Sequence, residues 1–425
     1  MVRSLPRVQG TTRVHPWFRT GRGCLTALCR AREQAKNNTG LPQKHLTRRK
    51  MLLTNCASCA APLGLTLGKK CGRCSTRYCG PACQKQHWEE GGHDQLCKKI
   101  KKAGSAEQFH ANTKYTEAVA VAAEKCADDT KGQTCYICTQ ALHWKTKEGL
   151  VRGCSCRGTA GFVHVSCLAE QAKILVAEAL DNNLMGSGER WVRWHTCSEC
   201  KQNYHGVVVC ALGWACWKTY LGRPEGDGVQ LIAMTQLGNG LSMARQHQAA
   251  LSVREAELSM RRRLGLSSAH VLATQSNLAI TYHALGRLDE ALRMRRDVYS
   301  GLSELYGEEH GDTLRAANNY AFSLRDLSRF EEARSLLRRT VPVARRVRGE
   351  SDALTLSMRS NYARVLCYDP TATLGDLSEA VTTLEEIEQI ARRVLGSDHP
   401  ITTGIVYHLQ ALLRAREAPS PRGGA

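Results

Sequence analysis

No stretch of this chain reaches the roughly 18 consecutive apolar residues that a membrane-spanning helix requires. The nearest candidate, Val207 to Trp217, is eleven residues long and reads as a buried strand or helix. Acidic residues are scarce: 39 Asp plus Glu face 59 Lys plus Arg, a formal net charge of +20. That imbalance favours acidic partners without specifying fold or ligand. No basic helix with base-reading residues accompanies it, so direct nucleic-acid binding is not expected. Nucleotide-binding, hydrolase and transferase motifs are missing too. The remaining composition, 42% hydrophobic and 23% charged, is that of soluble globular protein and excludes a fibre or a wholly disordered chain. A length of 425 residues suggests about three domains.

Cysteine is almost missing after Cys216, yet the chain holds 20, and fourteen fall between 56 and 97 or between 135 and 200. Most come as close pairs. Two cysteines separated by two residues can place both sulfurs about 2.3 Å from one tetrahedral zinc. Each cluster also contains a histidine, for which a disulfide framework gives no reason. Zinc is therefore the reading preferred to disulfides. Reduced thiols suit a reducing compartment, so a cytoplasmic or nuclear location is expected.

The first cluster reads Cys56-x2-Cys59, Cys71-x2-Cys74, Cys79-x3-Cys83 and His93-x3-Cys97. Eight donors suffice for two closed sites, which are structural because no position remains for a reacting water. With the stretch Tyr78-Cys79-Gly80-Pro81-Ala82-Cys83-Gln84, this spacing resembles a MYND finger. The resemblance implies interleaved pairs: Cys56, Cys59, Cys79 and Cys83 on one zinc, Cys71, Cys74, His93 and Cys97 on the other. His87 is the rival for the histidine place; the His-x3-Cys ending favours His93, leaving His87 as a surface or packing residue. Such fingers take short, often proline-containing peptides.

The second cluster reads Cys135-x2-Cys138, Cys154-x1-Cys156, His164-x2-Cys167 and Cys197-x2-Cys200. The single residue between Cys154 and Cys156, and the seven between Cys156 and His164, make it similar to a RING-CH (RING-variant) finger more than to a PHD finger. The family's cross-brace implies Cys135, Cys138, His164 and Cys167 on one zinc, and Cys154, Cys156, Cys197 and Cys200 on the other, so four zinc ions in all. RING-type domains bind a ubiquitin-charged conjugating enzyme (E2) and orient its thioester, so no catalytic residue is expected on this chain. The resemblance offers Ile137, Leu168 and Lys201 as E2 contacts, with core packing the alternative for Ile137 and plain solvation for Lys201. Two departures stand out. No aromatic occurs in Leu168–Lys173, where many such fingers carry tryptophan. The gap from Cys167 to Cys197 holds 29 residues, read as a helix over about 167–182 and a loop over 182–188.

An internal repeat follows. Asn277, Asn319 and Asn361 are spaced by 42, as are Gly265, Gly307 and Gly349, and Ala279, Ala321 and Ala363. Gly396 follows Gly349 by 47, and the five extra residues are placed around Pro370–Gly375. Each unit reads as two helices, with Gly286 breaking the turn and Asp289 opening the second. The pattern resembles tetratricopeptide (TPR) repeats of the kinesin-light-chain kind, with Ala291, Ala333 and Ala380 as the small residues that let helices approach. A degenerate unit is expected over 228–265 and a partial one after Pro400. The repeated asparagines either bond a ligand's backbone or cap neighbouring helices.

The resulting architecture is multidomain: two small zinc-stabilised cross-brace fingers followed by an all-α TPR solenoid. Residues 1–50 hold twelve Lys plus Arg and one acid, Glu33. They read as a disordered basic tail, an organelle-targeting segment, or an extension before a true start at Met51. The MYND-type finger occupies 51–100; a helical linker 101–134; the RING-CH-type finger 135–220; the repeats 228–415; and a disordered tail 416–425. The basic run Lys98–Lys102 at the first boundary reads as a solvated helix or linker, with a nuclear signal as the alternative. The leading functional expectation is a soluble RING-type E3 ubiquitin ligase recruiting a conjugating enzyme through the RING-CH finger and protein partners through MYND and TPR. The alternatives are a non-catalytic adaptor and a PHD-like chromatin reader. The ligase reading requires Ile137 to be exposed.

Overall fold

The computed structural model describes residues 56–417 apart from Ala60, Pro62, 64–67, Ser155, 183–189, Glu225, Gly226 and Asp398. The expectations for residues 1–50, for most of the 182–188 loop and for the extreme C-terminal tail fall outside the described residues. The chain divides into two compact units, one spanning 46–305 and one whose described part spans 306–417.

The first unit begins with a hairpin of β1 (Lys69–Lys70) and β2 (Arg77–Tyr78), antiparallel with Lys69 opposite Tyr78. Two helices follow, α1 (Pro81–Glu89) and α2 (His93–Lys102). Pro81 starts α1, where its missing N–H costs nothing. In α2 the four lysines Lys98, Lys99, Lys101 and Lys102 face solvent and Ile100 is buried, so this basic run is the solvated face of a helix end. Eight described residues form this finger's buried core, and four are cysteines. So small an apolar core cannot support a fold alone, and metal binding has to supply the difference.

The stretch read as a linker is helix α3 (Ala106–Lys125) and a single turn, α4 (Ala127–Thr130). Ser105 caps α3, its hydroxyl accepting the Gln108 N–H at 3.0 Å. The helix belongs to two cores. Ala106 and Phe109 pack with the first finger, whereas Ala111, Tyr115, Val119 and Ala122 pack with the second.

That second core gathers the Cys135–Cys200 region, α5 (Val165–Asp181), a 3-10 turn (Trp191–Trp194), α6 (Gly206–Tyr220), α7 (Gly228–Met243) and α8 (His247–Arg263). The eleven-residue apolar run is the body of α6. It is buried on nearly every side, packing against α3, α5 and α7, which is why its sequence showed no amphipathic period. Glycines let α6 and α7 come close: a Cβ on Gly240 would meet the Val209 carbonyl at 2.7 Å. No described helix is long and apolar enough to cross a membrane.

Helices α7 and α8 occupy the segment where a degenerate first unit was expected. Next come α9 (Ser268–Ala284) and α10 (Leu288–Tyr306), where the first unit ends. The second unit contains α11 (Gly311–Asp326), α12 (Phe330–Arg348), α13 (Ala353–Tyr368), α14 (Leu374–Leu395) and α15 (Pro400–Glu417), each packed on the next. Ala279, Ala321 and Ala363, and likewise Ala291, Ala333 and Ala380, are fully buried at helix crossings. Gly265, Gly307, Gly349 and Gly396 end the second helices with φ of +61, +83, +88 and +88°, a left-handed stop that glycine adopts without steric cost.

The turns between α7 and α8, α9 and α10, and α11 and α12 are built the same way. The N–H groups of Gln246, Arg287 and Arg329 donate to the carbonyls five residues back, those of Leu241, Tyr282 and Leu324, at 2.9, 2.9 and 2.8 Å. Only Gly286 is a glycine here; Arg245 and Ser328 take the same left-handed conformation with φ of +59 and +60°. The five extra residues before Gly396 are split. The α13–α14 connection is 369–373, two longer than 285–287 or 327–329, and α14 has 22 residues against 19 in α10 and α12.

Candidate metal centres

Each cysteine pair with two intervening residues sits on the same tight turn. The first cysteine's N–H donates to the carbonyl five residues on: Cys56 to Ala61 at 2.8 Å, Cys71 to Thr76 at 2.8 Å, Cys135 to Gln140 at 3.0 Å and Cys197 to Gln202 at 2.9 Å. The residue after the second cysteine turns left-handed in three of them, Ser75, Thr139 and Lys201. These turns aim two sulfurs the same way and point backbone N–H groups at them. In the first, burial opposes the thiolate of Cys56, but N–H donors from Cys59, Cys79 and Ser58 outweigh it and bring the pKa down to about 6.

Longer-range pairing assembles the turns into crossed braces. The Ala57 N–H donates to the Arg77 carbonyl at 3.0 Å, drawing the Cys56 turn to the strand that precedes Cys79. In the second finger the Tyr136 N–H donates to the Phe162 carbonyl at 3.0 Å, setting Cys135 and Cys138 beside His164. The His205 N–H donates to the Gly153 carbonyl at 2.7 Å, setting Cys197 and Cys200 beside Cys154 and Cys156. The Tyr136 and Ser198 hydroxyls, 3.0 Å apart, tie the two turns together.

Four clusters result: Cys56, Cys59, Cys79 and Cys83; Cys71, Cys74, His93 and Cys97; Cys135, Cys138, His164 and Cys167; Cys154, Cys156, Cys197 and Cys200. Within each, the donor atoms lie within 4.8 Å of one another. Sulfurs bound to one tetrahedral zinc stand about 3.8 Å apart. Here Cys59 and Cys79 are 3.6 Å apart, Cys71 and Cys97 4.0 Å, Cys79 and Cys83 3.4 Å, and Cys156 and Cys197 3.8 Å. These separations fit a shared zinc and are far beyond a disulfide of about 2.05 Å. His93 faces its cluster with Nε2, 3.4 Å from Cys74, and His164 with Nδ1, 3.3 Å from Cys138. His164 then spends its Nε2–H on the Ala141 carbonyl at 3.3 Å, the second contact that fixes a metal-binding imidazole.

The four groups coincide with the pairings the resemblances implied. His87 is not among them; it is half-buried and its Nδ1 meets the Tyr78 hydroxyl at 3.0 Å. The E2-contact residues are placed differently from one another. Ile137 is 37% exposed at the tip of its turn, and Lys201 lies on the surface. Leu168 needs correction: it is 2% exposed, because α5 turns it into the core, and it cannot meet a partner there. Sequence reasoning missed His143, buried with its ring 5.3 Å from that of His164. The three repeated asparagines all lie inside helices, so none caps its own helix. Asn361 donates to the backbone and side-chain oxygens of Asn318 at 3.3 and 3.2 Å and accepts from Arg325 at 2.6 Å.

Comparison with known families gives three matches. Residues 56–97 match the MYND finger, 135–177 the RING-variant domain, and 270–345 and 312–369 the tetratricopeptide repeat. The RING-variant match stops at 177, so Cys197 and Cys200 join the fourth cluster from beyond it. The chain thus carries two zinc-binding fingers and a TPR array, the equipment of a ubiquitin-ligase-like protein or an interaction adaptor. No curated protein matches it. Among solved structures, the kinesin light chain TPR-like repeats of Podosopora anserina share 19% identity, covering 54% of this chain and 97% of that one, with a TM-score of 0.37. BtubC from P. vanneervenii shares 15%, covering 61% and 94%, with a TM-score of 0.32.

Proposed function

We propose that this protein is a RING-type ubiquitin ligase working in the cytoplasm or nucleus. Its RING-variant domain receives a ubiquitin-charged conjugating enzyme, and its MYND finger and TPR repeats recruit protein partners. The observation that carries the reading is the exposure of Ile137, an apolar side chain held outward on a turn braced between two metal clusters. A buried Ile137 would have removed the contact on which the reading depends.

In this reading the chain contributes position and orientation, not a covalent intermediate. Four protein donors per cluster leave no open coordination place, so bound zinc would serve only to hold the fold. Ile137 offers the apolar anchor, and Lys201 a charge near the bound ubiquitin. On the MYND finger, Trp88 is exposed beside the metal-facing His93, 5.7 Å ring to ring, and offers an aromatic platform for a proline-containing peptide. The adaptor reading uses the same MYND and TPR surfaces without the E2; the PHD-like reading has less support, because the matching family is the RING variant.

The test is ubiquitin discharge. Full-length, zinc-loaded protein is mixed with a panel of ubiquitin-charged conjugating enzymes, alongside Ile137→Ala with unchanged zinc content. Discharge that the substitution abolishes supports the ligase. A complete lack of discharge across the panel transfers the reading to the adaptor.

A further inference from the structure

Residues 141–148 follow the first turn of the RING-variant domain and donate no ligand to either cluster. They are nevertheless fastened at several points. The Ala141 carbonyl accepts from His164, and the His143 ring packs edge-on against the His164 ring. The His143 N–H donates to the Glu148 carbonyl at 3.0 Å, and the Lys147 N–H to the His143 carbonyl at 2.9 Å. Lys147 is left-handed, with φ +58°. This is the same turn the cysteine pairs use, with His143 in the place of the first cysteine. Its Nδ1 takes the Thr146 N–H at 3.1 Å and lies 2.9 Å from the Thr146 hydroxyl. At the far end, Glu148 accepts the Ser166 N–H at 2.7 Å and the Ser166 hydroxyl at 2.8 Å, at the start of α5.

What this fastened turn presents to solvent is unusual. Leu142 is 59% exposed and Trp144 67% exposed. Lys145 and Lys147 are exposed just after them, and neither meets a carboxylate among the described residues. A rigid turn bearing a tryptophan has little left to lose in conformational entropy on binding, and tryptophan anchors are where binding energy concentrates.

We propose that Leu142, Trp144, Lys145 and Lys147 form a docking surface for an acidic protein segment carrying one bulky apolar side chain. This surface goes beyond E2 recruitment through Ile137 and does not depend on it. The apolar pair supplies the anchor, and the two lysines supply charge complementarity and reject basic segments. An anionic membrane is the less fitting occupant. Two side chains bring less apolar surface than a single acyl chain, which alone gives only marginal membrane binding.

The experiment selects a display library of random peptides on the full-length, zinc-loaded protein. Recovered peptides are then measured against two double variants, Leu142→Ala with Trp144→Ala and Lys145→Glu with Lys147→Glu, each with its zinc content verified. The expected result is a class of peptides with acidic residues around one large apolar residue, whose affinity falls about tenfold or more in both variants. The proposal is overturned if every recovered peptide binds both variants as well as the parent. It is also overturned if no such peptide is recovered and the protein sediments with phosphatidylserine vesicles in a Trp144-dependent way. Because the charge variant leaves the apolar pair intact, misfolding of the alanine variant would still leave the proposal open to refutation.

Discussion

Gly161 stands where any Cβ would lie 2.6 Å from the Cβ of Cys156 and 2.9 Å from its sulfur, and its φ is +82°. Both the space and the backbone exclude a side chain, and the obstructing atom is a metal donor with no freedom to move away. Gly161→Ala is therefore expected to disable the cluster of Cys154, Cys156, Cys197 and Cys200. Native mass measurement should show three zinc ions per chain in place of four, with the loss confined to this finger. Retention of all four would mean that the Cys156 segment moves more freely than this packing allows.

The two clusters of the MYND finger differ in shelter. Cys71, Cys74, His93 and Cys97 are all buried, whereas Cys59 and Cys79 are exposed. A chelator reaches the exposed cluster first. Timed chelation followed by native mass spectrometry should show one zinc leaving early from the Cys56 cluster, and Cys59→Ser should remove that early step while the Cys71 cluster keeps its ion. Release of the Cys71 ion first would contradict this order.

Asn361 is committed inside the solenoid. Burial, with Arg364 close by, brings Arg325 down to about 10, and Asn361 Oδ1 is one of the few acceptors the guanidinium has. Asn361→Ala leaves a buried charged donor short of a partner, at a cost of about 1–3 kcal/mol. Urea unfolding should register that loss in full. An unchanged midpoint, combined with weakened peptide binding, would instead restore this asparagine to a ligand-facing role.

The metal ligands were legible because a zinc site is written locally, in pairs whose spacing the turn geometry dictates. Cys197 and Cys200 could be read in this way although 29 residues separate them from Cys167. Leu168 was misread because position relative to a ligand does not say which way a helix face turns. The start of α5 at Val165 decides that, and it depends on packing. The Val207–Trp217 run could not be assigned to strand or helix, since a segment buried on all sides carries no period. The turn at His143 was missed because its signature lies in hydrogen bonds; His-x2-Thr does not advertise a metal-type turn the way Cys-x2-Cys does. The extra residues before Gly396 were counted correctly, but the sequence did not show that helix α14 absorbs most of them.

Helix α3, with one end in the core of the first finger and its body in the core of the second, acts as a strut. Twenty residues of helix span about 30 Å. On the proposed function, ligands of the two fingers would therefore meet at a set spacing instead of sampling the spread of distances a flexible tether allows. A two-site ligand that matches this spacing gains the full advantage of simultaneous engagement, and one that does not gains almost none. On the proposed function, this strut would let the protein measure its partners as well as bind them.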